Sequence, residues 1–372
     1  MTYNYINIKK ISLLLFVFFL LTGNATGQEQ KKFTYSISAA YFSGIIIRHS
    51  KEIGISGNSF PTGGWIEFNK HHYGGNLWES RHNFPDFGVT LSYVDYNNAV
   101  TGKSIGISPH HTVYFSKNRS KKHFLKYKMG FGLGYNTHPY SKDLNHQNQQ
   151  LGSRFTFSIP AVLSYEMLLK NQWSLSTGIA AIHFSNGSIK KPNKGINVAS
   201  LFAEIRFNTT KHRPDYTYHE DTFSPQKPGF TISSGFGINE ANFIGAGAKP
   251  FITLSLYADK RINNKIALLA GADVFWTWSL KEDIRYDLTV DQTSPPDYRR
   301  VAVTAGFEYF INKLSVIGQL GVYVYDPYHN YSFFYERVGL KYYLSEKIFT
   351  GVAIKAHYAS GELAEFGIGY RL

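Results

Sequence analysis

Hydrophobic and polar residues alternate with a period of two along most of the chain. In residues 125–135 large side chains occupy the odd positions, whereas Lys126, Lys128 and three glycines occupy the even ones. The same alternation returns in residues 314–324 and 366–372. Successive side chains of a β-strand point to opposite faces, so the pattern predicts strands with one large apolar face and one small or polar face.

Such segments predict eight strands in each half of the chain. The first eight lie near residues 33–48, 63–70, 84–96, 103–116, 122–136, 153–168, 172–185 and 196–208. The second eight lie near 229–239, 250–261, 265–279, 299–311, 314–325, 332–344, 348–359 and 363–372. Between them, residues 209–228 are polar and contain prolines, which indicates a linker or long turn that separates residues 28–208 from 229–372.

These strands predict an all-β fold, an antiparallel transmembrane β-barrel of the outer-membrane type. The large side chains would face lipid, and the glycines and polar groups would face the lumen. The pattern leaves two arrangements open: one barrel of about 16 strands, or an eight-stranded barrel followed by a second β unit.

The composition agrees with a barrel in contact with lipid. The 372 residues include 33 Gly, 16% aromatic residues and only 17% charged residues, and there is no Cys. These values exclude a disordered chain, a disulfide-stapled domain and a thiolate zinc site. A soluble periplasmic sandwich that binds polysaccharide stays open as an alternative.

The N-terminal residues predict export. Lys9 and Lys10 precede the apolar run 11–21, and Ala25-Thr26-Gly27 follows it. This is the pattern of a signal peptide over residues 1–27, because the apolar run is too short to span a bilayer as a helix. We therefore expect a protein of the cell outer membrane, with no nucleic acid as partner.

The connections between strands give a direction to the barrel. If the N-terminus is periplasmic, connections after odd-numbered strands are external and long. The connections at residues 49–62, 137–152 and 186–195 follow this rule, whereas the long connection at 71–83 breaks it.

The net charge of +13 includes a dense basic cluster around one predicted turn. We expect these residues to form a solvated turn: Lys117, Arg119, Lys121, Lys122, Lys126 and Lys128.

The most informative chemistry lies near residue 185. His183 and Ser185 are two positions apart in a predicted strand and therefore project from one face. A serine hydroxyl needs a base within hydrogen-bond reach to act as a nucleophile, and His is the natural base near neutral pH. Asn197, on the next strand, joins them at the external end of the lipid-facing surface. The alternative interpretation is a polar rim followed by an Asn-Gly turn.

The residues around this pair resemble a known family. The string His183-Phe184-Ser185-Asn186-Gly187, followed by Pro192-Asn193-Lys194-Gly195-Ile196-Asn197, resembles the signature of the lipid A 3-O-deacylases, the PagL-type acyloxyacyl hydrolases of the outer membrane. The resemblance covers about residues 30–209.

This resemblance implies an esterase that hydrolyses the acyl chain at the 3-O position of lipid A. Its partners would be lipopolysaccharide as substrate and the surrounding outer-membrane lipids, without a cofactor or metal. Ser185 would be the nucleophile and His183 the general base. Asn186 and the backbone around Gly187 would be candidates to stabilise the oxyanion.

One departure leaves the third member of the site open. The best-studied type of this family places a Glu where this chain has Asn197, and an Asn can hold the imidazole tautomer but cannot offset the imidazolium charge. Either Asn197 serves, or another acid serves, or the site is inactive. Glu204 lies at the opposite parity and should face the lumen.

The second half shows no family motif, which motivates another function. The chain could form a non-catalytic pore or structural barrel with a vestigial site. A homo-oligomer is also open.

Overall fold

The computed structural model describes residues 33–47, 59–170, 172–211, 213–358 and 360–372. The predicted signal peptide at residues 1–27 lies outside the described residues. Regular structure is almost entirely antiparallel β-strand, with two short helices, α1 (Leu77–Arg81) and α2 (Ser279–Tyr286), in connections. Among the described residues, no helix has the length and apolar character needed to cross a membrane.

The first barrel closes on itself. Its strands are β1 (Phe33–Ile46), β2 (Thr62–His72), β3 (Asp86–Asp95), β4 (Lys103–Tyr114), β5 (His123–Gly130), β6 (Gly132–Asn136), β7 (Phe155–Leu168), β8 (Trp173–Ser185) and β9 (Ile196–Asn208). Strand β9 pairs with β1, which closes the barrel. Strands β5 and β6 both pair with β4 and β7 and together occupy one strand position, so the barrel is eight-stranded.

One predicted strand is interrupted at Phe131, between β5 and β6. The two neighbouring strands carry Pro109 and Pro160 beside this point. Proline has no N–H to donate, so both neighbouring strands lack a donor beside this point, and the Phe131 N–H donates to the Pro109 carbonyl oxygen at 3.1 Å.

The second barrel also closes on itself. Its strands are β10 (Gly229–Glu240), β11 (Ala248–Arg261), β12 (Ile266–Thr277), β13 (Arg300–Ile311), β14 (Leu314–Tyr325), β15 (Phe334–Tyr343), β16 (Ile348–His357) and β17 (Ser360–Arg371). Strand β17 pairs with β10, which closes the eight-stranded barrel.

The predicted class, an all-β antiparallel barrel, is confirmed. Of the two arrangements left open, the single barrel of about 16 strands is corrected, and the structure agrees with the other, an eight-stranded barrel followed by a second β unit, which is itself a barrel of eight strands. The cause is the pairing of the terminal strands. Because β9 returns to β1, the first sheet has no free edge to offer the second half. Residues 213–228 contain no strand.

The two faces of the strands differ as the alternation predicts. Large apolar side chains stand on the outer surfaces, among them Leu201, 70% exposed, and Leu320, 62% exposed. Inside the barrels, charged side chains pair: Arg206 with Glu166 at 3.2 Å in the first and Lys341 with Glu308 at 2.8 Å in the second. An apolar exterior of this kind is that of a barrel in lipid.

The basic cluster is only partly a solvated turn. Lys117, Lys121 and Lys122 are exposed, as expected. Lys126 and Lys128 are buried in the lumen, where Lys126 pairs with Glu166. Arg119 is also buried, and its Nη1 donates to the Asn83 and Phe84 carbonyl oxygens.

Connections at opposite ends of the barrels define two ends of the molecule. The term outer end is used for the end that carries the connections 137–154, 186–195, 241–247, 278–299 and 326–333. The opposite end is the inner end. At the inner end, His82 Nε2 contacts the Phe310 carbonyl oxygen of the second barrel at 2.8 Å. The connection 73–85 is therefore long because it carries α1 and reaches the neighbouring barrel.

Candidate active site

Strands β8 and β9 place the three predicted residues together on the outer surface of the first barrel. In their register His183 is the direct partner of Asn197. The alternate residues Phe184 and Val198 are buried inside the barrel, while His183, Ser185 and Asn197 are half-buried and project outward. The structure thus brings these three side chains to the outer end of the apolar surface.

Hydrogen-bond geometry links the three side chains in a chain. His183 Nε2 lies 2.8 Å from Ser185 Oγ, and His183 Nδ1 lies 2.6 Å from Asn197 Oδ1. With Asn197 Oδ1 as acceptor, Nδ1 carries the proton. The lone pair of Nε2 then accepts the Ser185 hydroxyl, an arrangement that can remove the hydroxyl proton.

Asn186 is occupied in organising the loop after β8. Its backbone N–H donates to Asn193 Oδ1 at 2.9 Å, and its Nδ2 donates to Ser153 Oγ at 3.0 Å and the Lys190 carbonyl at 2.8 Å. Gly187 follows with φ +62. The donors of Asn186 therefore hold the outer-end loops together in the structure described.

Gly195 is a site residue to which the sequence analysis assigned no role. It adopts φ +75, and a Cβ added there would lie 2.9 Å from His183 Cε1 and 3.5 Å from Ser185 Cβ. Only a residue without a side chain leaves the imidazole in its place. Its position in the motif was visible, but its positive φ was not.

The second barrel packs against the loop that follows Ser185. A Cβ added at Gly187 would lie 2.7 Å from Ala364 Cβ. Ser188 Oγ donates to the Gly361 carbonyl, and the Glu240 N–H donates to the Ser188 carbonyl at 2.9 Å. No motif in the second half pointed to this contact.

A row of small residues crosses the outer surface directly below the site. Ala161, Ala181 and Ala199 are cross-strand partners on β7, β8 and β9. They lie two positions from His183 and Asn197 toward the middle of the barrel. Small side chains between larger ones leave a shallow groove at this level.

Two other groups lie in the lumen. Glu204 is buried, as its parity predicted, and accepts Trp65 Nε1 at 3.0 Å. Ser36, His71 and Asp86 form another serine–histidine–carboxylate chain, with His71 Nε2 2.8 Å from Ser36 Oγ and Nδ1 2.7 Å from Asp86 Oδ1. Ser36 is 0% exposed, so this serine is closed off from substrate.

Two protein-family models match the chain, one in each half. A family model described as lipid A 3-O-deacylase (PagL) matches residues 66–206, and one described as acyloxyacyl hydrolase, C-terminal domain, matches residues 229–372. The chain belongs to the lipid A 3-O-deacylase (PagL) family and is therefore an ester hydrolase. The resemblance seen in the sequence is confirmed, and the second half, which showed no motif, is matched as well.

No curated protein matches the chain. Among solved structures, two mutant porins of Rhodopseudomonas blastica are similar at 8% and 9% identity, with TM-scores of 0.18 and 0.17. Each comparison covers 91% of this chain and 100% of the porin chain. At these TM-scores the similarity carries no argument about this protein.

Proposed function

We propose that this protein is an outer-membrane esterase that removes the 3-O-linked acyl chain of lipid A through Ser185 and His183. The observation that carries the proposal is the 2.8 Å contact between Ser185 Oγ and His183 Nε2 on the apolar outer surface of the barrel. Family membership supports lipid A as the substrate, and the contact supports a serine–histidine mechanism.

In the first half-reaction, Ser185 Oγ attacks the ester carbonyl carbon while His183 Nε2 takes its proton. The tetrahedral intermediate breaks the bond to the sugar oxygen, which leaves with the proton from His183. Water then attacks the acyl-serine with His183 as base, and the fatty acid is released. Asn197 holds the imidazole in the required tautomer throughout.

The oxyanion of the tetrahedral intermediate needs hydrogen-bond donors besides Ser185, His183 and Asn197. The hydrogen bonds of Asn186 use its backbone N–H and its side-chain amide within its own loop and with Ser153 of the 137–154 connection. We therefore assign the backbone around Gly187, rather than the Asn186 side chain, to stabilise the oxyanion. Gly187 follows Ser185 by two residues and turns with φ +62.

The placement of the site suits a substrate held in the bilayer. An ester near the outer end of a lipid-facing surface meets the outer leaflet, where the acyl chains of lipid A attach to the sugar. The row Ala161, Ala181 and Ala199 offers a path for the chain below the reacting ester. Export through the signal at residues 1–27 would deliver the protein to this membrane.

A pore is the second candidate, and the interiors of the barrels disfavour it. Buried ion pairs, such as Arg206 with Glu166 and Arg337 with Asp273, stand where a channel would run. A cavity inside the second barrel measures about 70 Å³, little more than the space of a few waters. Stable single-channel conductance in planar bilayers, without esterase activity, would favour the pore.

The decisive experiment compares three alanine variants by mass spectrometry of lipid A from expressing cells. Ser185→Ala and His183→Ala should abolish release of the 3-hydroxy fatty acid while folded barrel stays in the membrane. Ser36→Ala is the matched control, because Ser36 also contacts a histidine but is buried in the lumen. It should leave deacylation intact; full activity in either site variant defeats the mechanism.

A further inference from the structure

A polar cavity of about 500 Å³ lies between the two barrels at the outer end. Gln149, Lys191 and Lys194 line it from the first barrel, and Asn242, Tyr331 and Tyr358 line it from the second. Its volume falls within the range of small-molecule sites, roughly 300–1,000 Å³.

The cavity adjoins the candidate active site through a single loop. Lys191 and Lys194 belong to the 186–195 connection, which begins directly after Ser185. Lys194 is followed by Gly195, where an added Cβ would lie 2.9 Å from His183 Cε1. A molecule held by these lysines would therefore be bound by the same loop that follows the serine and approaches the histidine.

The lining matches a phosphorylated saccharide better than an acyl chain. Amide and phenol groups pair with sugar hydroxyls, and lysine ammonium groups pair with phosphate. Burial lowers the pKa of the Lys191 ammonium below its usual range, although nearby Asp283 and Glu362 act to raise it. A phosphate next to this partly desolvated cation would stabilise its charge.

The second-barrel wall is held in place before any ligand arrives. Tyr331 stacks on His357 with ring centroids 4.7 Å apart, and its hydroxyl donates to Asn242 Oδ1 at 3.2 Å. Asp283 of α2 accepts the Asn242 N–H at 2.7 Å and Asn330 Nδ2 at 3.4 Å. A wall fixed by such contacts loses little freedom when it binds.

We propose that this cavity binds the phosphorylated sugar head group of the lipid substrate, so that the second barrel supplies half of the substrate site. The inference rests on the proposed function for its substrate. It gives the second barrel a role that deacylation chemistry alone does not require, since Ser185, His183 and Asn197 all come from the first barrel.

The test measures steady-state kinetics of the purified full-length protein in detergent on lipid A, on dephosphorylated lipid A and on a short p-nitrophenyl acyl ester. The double variant Lys191→Met with Lys194→Met should raise KM for lipid A about tenfold, the loss expected for a charge-assisted contact, with kcat unchanged. Neither dephosphorylated lipid A nor the p-nitrophenyl ester should show this rise. Tyr358→Ala should raise KM for both forms of lipid A and leave the p-nitrophenyl ester unaffected.

The control is Lys190→Met, because Lys190 is adjacent in sequence and exposed but lies outside the cavity lining. An equal rise in KM for this control would show general attraction of the anionic substrate and overturn the inference. An equal rise on dephosphorylated lipid A in the double lysine variant would overturn it too.

Failure of the proposed function would look different, since the wild type would then hydrolyse none of the three esters. In that case calorimetric titration with the acyl-free phosphorylated disaccharide still decides the inference. Binding weakened by the double lysine variant but not by Lys190→Met supports it, and unchanged binding refutes it. A parallel titration with inorganic phosphate separates recognition of the sugar phosphate from recognition of phosphate alone.

Discussion

The Nδ1 atom of His183 lies 2.6 Å from the Oδ1 atom of Asn197, its direct partner across the ladder of β8 and β9. The sheet itself therefore sets the distance between the proposed base and the amide proposed to orient it. A neutral amide fixes the tautomer but leaves the imidazolium charge of the transition state without a counter-charge. A carboxylate at this position would do both.

Substitution of Asn197 should separate these two effects. Asn197→Ala removes the acceptor and should lower kcat roughly a hundredfold, with KM little changed. A loss of this size is expected when the general base is wrongly oriented. Asn197→Asp keeps an acceptor and adds a charge, so kcat should equal or exceed that of the wild type. The measurement is steady-state deacylation by purified protein. Full kcat in the alanine variant would assign the orienting role to another group.

The contact between Gly195 and the His183 ring predicts a loss of activity from one added methyl group. Gly195→Ala would place Cβ 2.9 Å from His183 Cε1 and should lower kcat by up to about a hundredfold, because the imidazole must move. Gly247→Ala is a matched control: its φ is +76 against +75, but nothing lies within 4 Å of an added Cβ.

Both glycine variants should bear a similar backbone cost of about 1 kcal/mol, seen as lower thermal stability of the folded barrel on gels. Only Gly195→Ala should lose activity. Equal activity in the two variants would mean that the steric contact with His183 has no catalytic consequence.

The placement of the site could be predicted from the sequence because it depends only on parity. His183 and Ser185 are two residues apart in one strand and therefore lie on the same face, whereas Glu204 lies on the other face. This holds for any pairing of the strands. The outward direction follows from the same alternation, since Phe184 and Val198 are the residues that fill the interior.

The number of barrels could not be predicted in this way. Alternation shows which face of a strand is apolar but not which strand it pairs with, and closure depends on the contact of β9 with β1. The burial of Lys126 and Lys128 agrees with their parity in the strand, and the expectation of a solvated turn was wrong for these two residues. The basic residues next to them in the sequence suggested a turn, whereas their partners Glu166 and Glu67 lie on β7 and β2, far from them in the sequence.

The alanine row predicts where the acyl chain lies. Ala181→Phe would fill the groove two residues from His183 and should reduce deacylation of lipid A at least severalfold. The barrel should still fold, because Ala181 is exposed on the apolar face where a larger side chain meets only lipid.

Ala203→Phe is the control for this change, since Ala203 is also exposed on the outer face but lies farther along β9 from the site. Lipid A profiles of cells expressing each variant compare the two. An equal reduction in both would indicate a general effect of added bulk on the surface and not a path for the chain.

Asp283 predicts a pH dependence of stability at the outer end. Burial raises the pKa of this carboxyl from 3.8 to about 6, partly opposed by the Asn242 N–H and by Lys191. Because the folded-state pKa lies above the unfolded value, its contribution to stability is complete below about pH 4 and is lost as the pH rises through 6. Asp283→Asn should therefore become more stable relative to the wild type from pH 4 to 7, measured as the midpoint of heat-induced unfolding.

The control is Asp291→Asn on the same connection. Hydrogen bonds from Thr293 lower the pKa of Asp291, so its substitution should become less favourable as the pH rises from 3 to 5. A stability difference for Asp283→Asn that does not change with pH would contradict the burial of a protonated acid at this position.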